Sequence, residues 1–314
     1  MTFDELKEKY PHFVSAANYL EENCYFFKST FRKIKQLELD YEFAEKLCKD
    51  CHDYAKGNED EFRKKVHTLI DFSVEFLRLQ LHLHKTGHYL YSSYDELDRN
   101  VYSDPNRKLK GPWYMWALYF SQIFWVTHWN VFKFFISDFV KNNNARGDIL
   151  EVPVGTGIFI SYFLRNNPGW NGTGVDLGET AIEFAKNVLS WDHIEKDRIN
   201  IIKEDIYKFE TEKKFDKILC GEFLEHVEDP LGVLKKLHAL LNKNGRVFLT
   251  VAVYAEMIDH IYLYRRADDV REHVRLAGFI PEKELVQAVF EKDSPEGVNV
   301  PINYCAILKK AENE

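Results

Sequence analysis

The stretch "ILEVPVGTG", residues 149–157, decides the fold. Its first half is an apolar run of strand length, and its second half breaks into two glycines one residue apart. The run reads as a buried strand, and the glycines as a turn that lets a ligand approach the main chain. Pro153 stands just before them, where nucleotide-binding loops usually carry another glycine. A proline there ends the need for an amide donor and stiffens the approach to the turn. Gly155 and Gly157 are left to provide the close passage.

From residue 148 onward, strands and helices alternate. Five strands are expected: "DILEVPV", "GTGVDL", "INIIKEDI", "DKILCGE" and "RVFLTVAV". Helical stretches lie between them, including "ETAIEFAKNVLSW" and "PLGVLKKLHALLNKNG". This alternation marks a doubly wound parallel sheet. After "REHVRLAGF" the pattern closes on "KELVQAVFE" and "INYCAILKK". No long helix separates these two, which predicts an antiparallel pair at the end of the sheet. Ligands of such sheets bind beyond the carboxyl ends of the strands, so the first turn is where a cofactor is read. A dinucleotide fingerprint needs a third glycine, and that position holds Ile160, which weakens a nicotinamide reading.

The spacing acid-x-Pro-x-Gly-x-Gly, over Glu151, Pro153, Gly155 and Gly157, resembles the first motif of class I S-adenosylmethionine-dependent methyltransferases. It departs at the first glycine, which is Pro153; variants with a small residue there occur in the ubiquinone- and menaquinone-biosynthesis-like branch. Further landmarks follow in order. "GVDL" puts Asp176 and Leu177 at the end of the second strand, where a carboxylate can accept hydrogen bonds from both ribose hydroxyls. "KEDI" puts Asp205 and Ile206 after the third strand, where the family reads the adenine amino group. "CGEFLEHVEDP", with Glu222, follows the fourth strand and resembles that branch's fourth motif. The resemblance covers residues 148–310, about half the chain. It implies S-adenosylmethionine as cofactor, held by these residues. The expected fold is therefore α/β: a Rossmann-like, doubly wound, mostly parallel seven-stranded sheet with an antiparallel C-terminal strand. An all-α lid domain over 1–145 would precede the cofactor-binding domain over 146–314.

The first part of the chain reads as helical. "DEFRKKVHTLIDFSVEFLRLQLHLH" spaces Val66, Leu69, Ile70, Phe76, Leu77 and Leu81 close to helical periodicity. "YDELDRNVYSDPNRKLKGP" follows as a short helix and loop, and "KNNNARGD" at 141–148 reads as a polar linker. Between Lys110 and Lys133 stands "GPWYMWALYFSQIFWVTHWNVF", which carries no formal charge. Its internal Ser121, Gln122, Thr127, His128 and Asn130, and aromatics spread along its length, favour a buried helix over a membrane span.

The formal net charge of −8 argues against nucleic acid or an anionic membrane as partner. An aromatic share of 15% suits a pocket for a flat or greasy ligand as well as a core. Five scattered cysteines provide no disulfide framework, and the start lacks a signal-peptide pattern, so a reduced cytoplasmic setting is expected. "CKDCH" at 48–52 matches a haem-attachment pattern only formally, within a helical pattern and without a second ligand pair. "HLHKTGH" puts His84 and His88 on one helical face but His82 on another, with Gly87 ending the helix.

Methyl transfer needs positioning and, for a hydroxyl or ammonium acceptor, a base. Three histidines are candidates. His260, in "AEMIDHIYLY", follows the fifth strand, and Asp259 beside it could orient its ring. His128 lies in the aromatic helix, either as a satisfied core histidine or aimed into an acceptor pocket roofed by that helix and faced by His260. His226 lies in "EFLEHV"; the resemblance allows Glu222, Glu225 and His226 to hold a divalent metal. Many relatives carry these letters without one, and the reading taken is no metal, with Glu225 and His226 pinning the loop. The expected function is methylation of a small hydrophobic or aromatic acceptor, with a homodimer as the assembly to test. Aminocarboxypropyl transfer or intramolecular cyclisation, releasing methylthioadenosine, is the alternative. A non-catalytic binding protein on the same fold is the second.

Overall fold

The computed structural model describes residues 3–28, 38–102, 111–141, 143 and 145–311. Parts of the expected loop (103–110) and linker (142 and 144) lie outside them. Seven strands form one sheet: β1 (Gly147–Glu151), β2 (Trp170–Asp176), β3 (Ile199–Lys203), β4 (Phe215–Gly221), β5 (Leu241–Val253), β6 (Phe279–Ala288) and β7 (Ile302–Lys310). Their spatial order is β3-β2-β1-β4-β5-β7-β6. The first five pair in parallel. β7 runs antiparallel to both β5 and β6 and lies between them. The expected doubly wound sheet with its antiparallel ending is therefore present.

The apolar runs form strands because the central ones are covered on both faces. Ile149, Leu150, Ile218, Val247, Leu249, Val251 and Val253 are all fully buried. Helices Ile158–Asn166, Glu179–Trp191, Pro230–Leu240 and Ala267–Leu276 flank the sheet. The third opens with Pro230 in its first turn and is capped by Asp229, whose Oδ1 accepts the Gly232 amide at 2.8 Å. It stops five residues before the end of the helical stretch expected from sequence, because Leu241 turns extended (φ −78°, ψ 140°) and pairs with Phe215. The fifth strand thus takes in residues that read locally as a helix end.

The chain divides into two compact units, Met1–Leu77 with Lys108–Lys133, and Arg78–Arg107 with Phe134–Glu314. The first, helical unit has an aromatic core. Phe13 stacks on Phe124 at 5.7 Å, and Phe43 on Phe132 at 4.6 Å. Asp40 caps helix Tyr41–Tyr54 by accepting the Glu42 and Phe43 amides, and Cys48 and Cys51 are buried inside it. The aromatic stretch expected as one helix is two, Pro112–Phe124 and Val126–Phe134, broken where Trp125 turns extended (φ −98°, ψ 123°). There the indole Nε1 of Trp125 donates to Ser73 Oγ at 3.1 Å, and its ring packs on Phe72 and Phe76. No helix among the described residues is long and apolar enough to cross a membrane.

The second unit holds the sheet and two segments from outside the alternating pattern. Residues Phe135–Val140 form a π-helical turn, with Phe135 and Phe139 against Phe248 of β5 at 5.2 and 5.5 Å. From the preceding segment, Gln80 Nε2 donates to the Tyr254 carbonyl at 2.9 Å and Tyr89 Oη to that of Ala255 at 2.9 Å. Phe163 is fully buried, with its ring edge-on to Trp170 at 5.1 Å. Phe163→Ala should cost about 3–5 kcal/mol through lost transfer energy and the cavity left behind. A urea midpoint that does not move would contradict this packing.

Candidate active site

Strand order reverses between β1 and β4, so the crevice of this sheet lies beyond their carboxyl ends. The turn after β1 is built there. The Val152 amide donates to Leu219 of β4 and the Val154 amide to Val175 of β2, each at 2.9 Å. Pro153, which has no N–H, stands between these two donors. Gly155 (φ +48°) and Gly157 (φ +72°) take left-handed conformations. Their constraints differ. A Cβ on Gly157 would come within 2.9 Å of the Ala185 Cβ and 3.0 Å of its Cα, so this glycine permits close packing on helix Glu179–Trp191. A Cβ on Gly155 would meet nothing within 4 Å. Gly155 is the position at which the backbone faces open space.

Asp176, at the end of β2, ties this turn to the next. Its Oδ2 accepts the Gly155 amide at 2.9 Å and its Oδ1 the Gly178 amide at 2.8 Å. Burial pushes its carboxyl upward, and the two amides oppose that by favouring the charged form. Leu177 beside it is 53% exposed. After β3, Asp205 Oδ1 accepts the Tyr207 amide at 3.0 Å, its own amide donates to Glu204 Oε1, and Ile206 is buried. Glu151 is buried too, and its Oε2 accepts the Ile160 amide at 3.2 Å, in the first turn of helix Ile158–Asn166. Burial, and then the charge of Asp176, push its carboxyl well up.

A second cluster forms where the loops after β4 and β5 meet. Glu222 takes φ +45°, and its amide donates to the Thr250 carbonyl and to Thr250 Oγ1, both at 3.0 Å. Glu225 is fully buried. Its carbonyl accepts the Ile261 and Tyr262 amides at 2.8 and 2.9 Å, and its Oε1 accepts the Ala252 amide at 3.3 Å. Its Oε2 has no hydrogen-bond partner. Burial and the neighbouring Glu222 raise its carboxyl well above the usual range. The His226 and His260 rings lie 4.7 Å apart at 89°. His226 Nδ1 is 3.0 Å from the Asp259 carbonyl oxygen, and His260 Nδ1 is 2.7 Å from that of Ala255. Asp259 therefore serves His226, while Ala255 orients His260, the ring that sequence adjacency had paired with Asp259. Burial, then His226, lowers His260 to about 3, so its ring is neutral at pH 7.

His128 belongs to the helical unit. Its Nδ1 lies 2.9 Å from Ser121 Oγ, which itself donates to the Leu118 carbonyl, so the ring nitrogen is the donor of that pair. Trp125 packs on it at 4.9 Å. Of the "HLHKTGH" histidines, His82 Nδ1 bonds Glu256 Oε2 at 3.0 Å and His88 Nδ1 bonds the Tyr89 carbonyl. Sequence reasoning missed Glu256. This fully buried carboxylate also accepts the Leu90 amide at 2.8 Å, and its own amide donates to Gln80. The Tyr89 ring meets His260 at 5.7 Å.

Two expectations follow. Asp176→Ala leaves two loop amides without their acceptor, so it should lower stability by about 1–3 kcal/mol even without ligand, besides weakening any ligand held there. Chemical unfolding of the ligand-free variant reads this, and an unchanged midpoint would count against the tie. Burial lowers His128 to about 4 in the folded protein, against 6.5 for the free side chain. The unfolded chain therefore binds more protons between those values, and stability is full above pH 6.5 and is lost as pH falls toward 4. His128→Gln should shrink the stability difference between pH 7 and pH 5 by up to about 2 kcal/mol. Parallel pH dependence in the two proteins would contradict it.

Residues 130–289, just over half of the chain, match the model of a family described as a methyltransferase domain. A malonyl-[acyl-carrier protein] O-methyltransferase of Ilyobacter polytropus is 29% identical over 109 residues, 35% of this chain and 39% of that protein. A ubiquinone biosynthesis O-methyltransferase of Coxiella burnetii is 34% identical over 105 residues, 32% of this chain and 42% of that one. The matches span about two fifths of the length of these curated relatives. The solved structure of a mitomycin 7-O-methyltransferase superposes with a TM-score of 0.53 at 13% identity, over 76% of this chain and 68% of that one. At that identity the likeness is one of fold.

Proposed function

The chain belongs to the methyltransferase-domain family as a class I S-adenosylmethionine-dependent enzyme, and we propose that it methylates an oxygen of a small, hydrophobic or aromatic acceptor. The observation that carries the reading is the turn at the β1/β4 reversal, fixed by Asp176 and open on the Gly155 side. A ligand can lie against the backbone there, and the exposed Leu177 offers an apolar face beside it. When bound, S-adenosylmethionine supplies a methyl group already activated on a sulfonium, and in-line displacement leaves S-adenosylhomocysteine.

The residues of this chain then have two tasks. The glycine turn, Asp176 and the Asp205 loop bind and orient the donor. The loops after β4 and β5 provide for the acceptor, whose hydroxyl must shed a proton as the new bond forms. The Nδ1 atoms of His226 and His260 face carbonyls, which can only accept, so each Nδ1 carries a hydrogen and Nε2 is the nitrogen that bears the lone pair in the neutral ring. A cavity of about 450 Å³, lined in part by Tyr89, Leu90, Tyr91, Ile261 and Leu263, adjoins the His260 loop. Its size suits a small molecule, with apolar and aromatic faces from these residues and polar contacts from His88, Ser92, Glu96 and Arg265, which complete the lining. The oxygen acceptor follows the names of the two curated relatives, and the net charge of −8 favours a small molecule over nucleic acid.

S-adenosylmethionine and S-adenosylhomocysteine should each raise the melting temperature, ligand at about a hundred times its Kd adding roughly 2.7 kcal/mol, and NAD should not. Incubation with cell extract should yield S-adenosylhomocysteine together with a small molecule heavier by one methyl group. Methylthioadenosine as the product would replace methyl transfer by aminocarboxypropyl chemistry. A shift with NAD alone would remove the cofactor assignment.

A further inference from the structure

We propose that the methyl acceptor bears a carboxylate and that Arg265 holds it, an inference that rests on reading the cavity beside the His260 loop as the acceptor's place. Arg265 is part of that cavity's wall, two residues after Leu263. Its guanidinium is already positioned: Nη2 donates to the Gly87 carbonyl at 2.9 Å and Nη1 to Asn299 Oδ1 at 3.3 Å. Its backbone is fixed as well, the amide donating to Asp269 Oδ2 and the carbonyl accepting the Asn299 amide, both at 2.9 Å. Residues 178 and 34 positions away in sequence thus grip one exposed side chain. A free surface arginine loses rotamer entropy when a ligand orders it, and one held beforehand loses less.

What holds this guanidinium does not neutralise it. Both of its partners are uncharged oxygens, and no carboxylate among the described residues pairs with it. Arg246, Arg266, Arg271 and Arg275, by contrast, each pair with a carboxylate. Two of the five guanidinium N–H groups are used, and the rest suffice for the two-pronged contact that a carboxylate makes with arginine. Glu96, the acid in the cavity wall, is turned to its own loop, where Oε2 accepts the Ser92 amide at 2.8 Å and the Ser92 hydroxyl at 3.2 Å. The apolar faces of Leu90, Ile261 and Leu263 beside one fixed cation describe a ligand with a hydrocarbon or aromatic body and an anionic end. A carboxylate paired with a guanidinium has its lone pairs engaged and is a weak nucleophile, so the methyl group goes to a second oxygen of the molecule, a hydroxyl.

The test uses the full chain saturated with S-adenosylhomocysteine and titrated with benzoate and with benzamide, which share size and shape but not charge. Benzoate should bind at millimolar concentration, at least about tenfold more tightly than benzamide, and Arg265→Gln should abolish the difference. The melting shift with S-adenosylhomocysteine should be the same in Arg265→Gln, showing the variant folded with its donor site intact. In cell extract supplied with S-adenosylmethionine labelled in its methyl group, the labelled product should be retained by an anion exchanger both before and after phosphatase treatment. Benzoate binding no tighter than benzamide, a preference that survives in Arg265→Gln, a neutral labelled product, or one whose retention phosphatase removes would each overturn the assignment. Absence of any labelled product counts against methyl transfer alone, and the benzoate titration still decides the role of Arg265.

Discussion

The carboxylate of Asp176 is the constraint on which the candidate site rests. One oxygen holds the amide of Gly155 and the other that of Gly178, so the turns after β1 and β2 are fixed by a single side chain. The glycines make the turn sterically possible, but a left-handed backbone alone does not choose one geometry. Packing of Gly157 on Ala185 and the grip on the Gly155 amide choose it together. Because the same carboxylate stands beside the open side of Gly155, shape and chemistry in this loop are inseparable.

Glu225 plays the corresponding part on the other side of the reversal. Its carbonyl holds the Ile261 and Tyr262 amides and its carboxylate the Ala252 amide, so the loop after β4 fixes the loop after β5. His226 and His260 come together as a result, although 34 positions separate them in sequence. The hydrogen bonds of Glu225 thus tie the loop after β4 to the loop after β5, and its second oxygen is buried without a hydrogen-bond partner.

Much of the sheet was legible because its signals are local. The apolar runs, the glycine turn and helix Glu179–Trp191 depend on residues a few places apart, and the helix begins and ends where its letters suggest. What escaped was set from a distance. Nothing near Trp125 announces the break in the aromatic helix, since its partner Ser73 lies 52 residues away. The early start of β5 depends on pairing with Phe215, which overrides a stretch that would otherwise end a helix. Strand-end acids were readable as a class, yet their division of labour was not. Glu151 is turned to the amide of Ile160, whereas Asp176 bridges two loops. Only the fold tells two such carboxylates apart.

The place of β7 has a consequence for synthesis. The strand lies between β5 and β6 but follows both in sequence, so β5 has its neighbour on that side only once residues 302–310 are available. At roughly 5–20 residues per second, the stretch of about 50 residues from Val253 to Ile302 takes roughly 2.5–10 s to emerge. Through that interval a nascent β5, rich in valine, offers seven residues of unpaired ladder, the kind of edge on which other chains can add. Helix Ala267–Leu276 and β6 emerge before β7 and have no β5 to pair with directly. Ribosome-bound chains halted just before residue 302 accordingly offer β5 as an open edge to chaperones and to other chains.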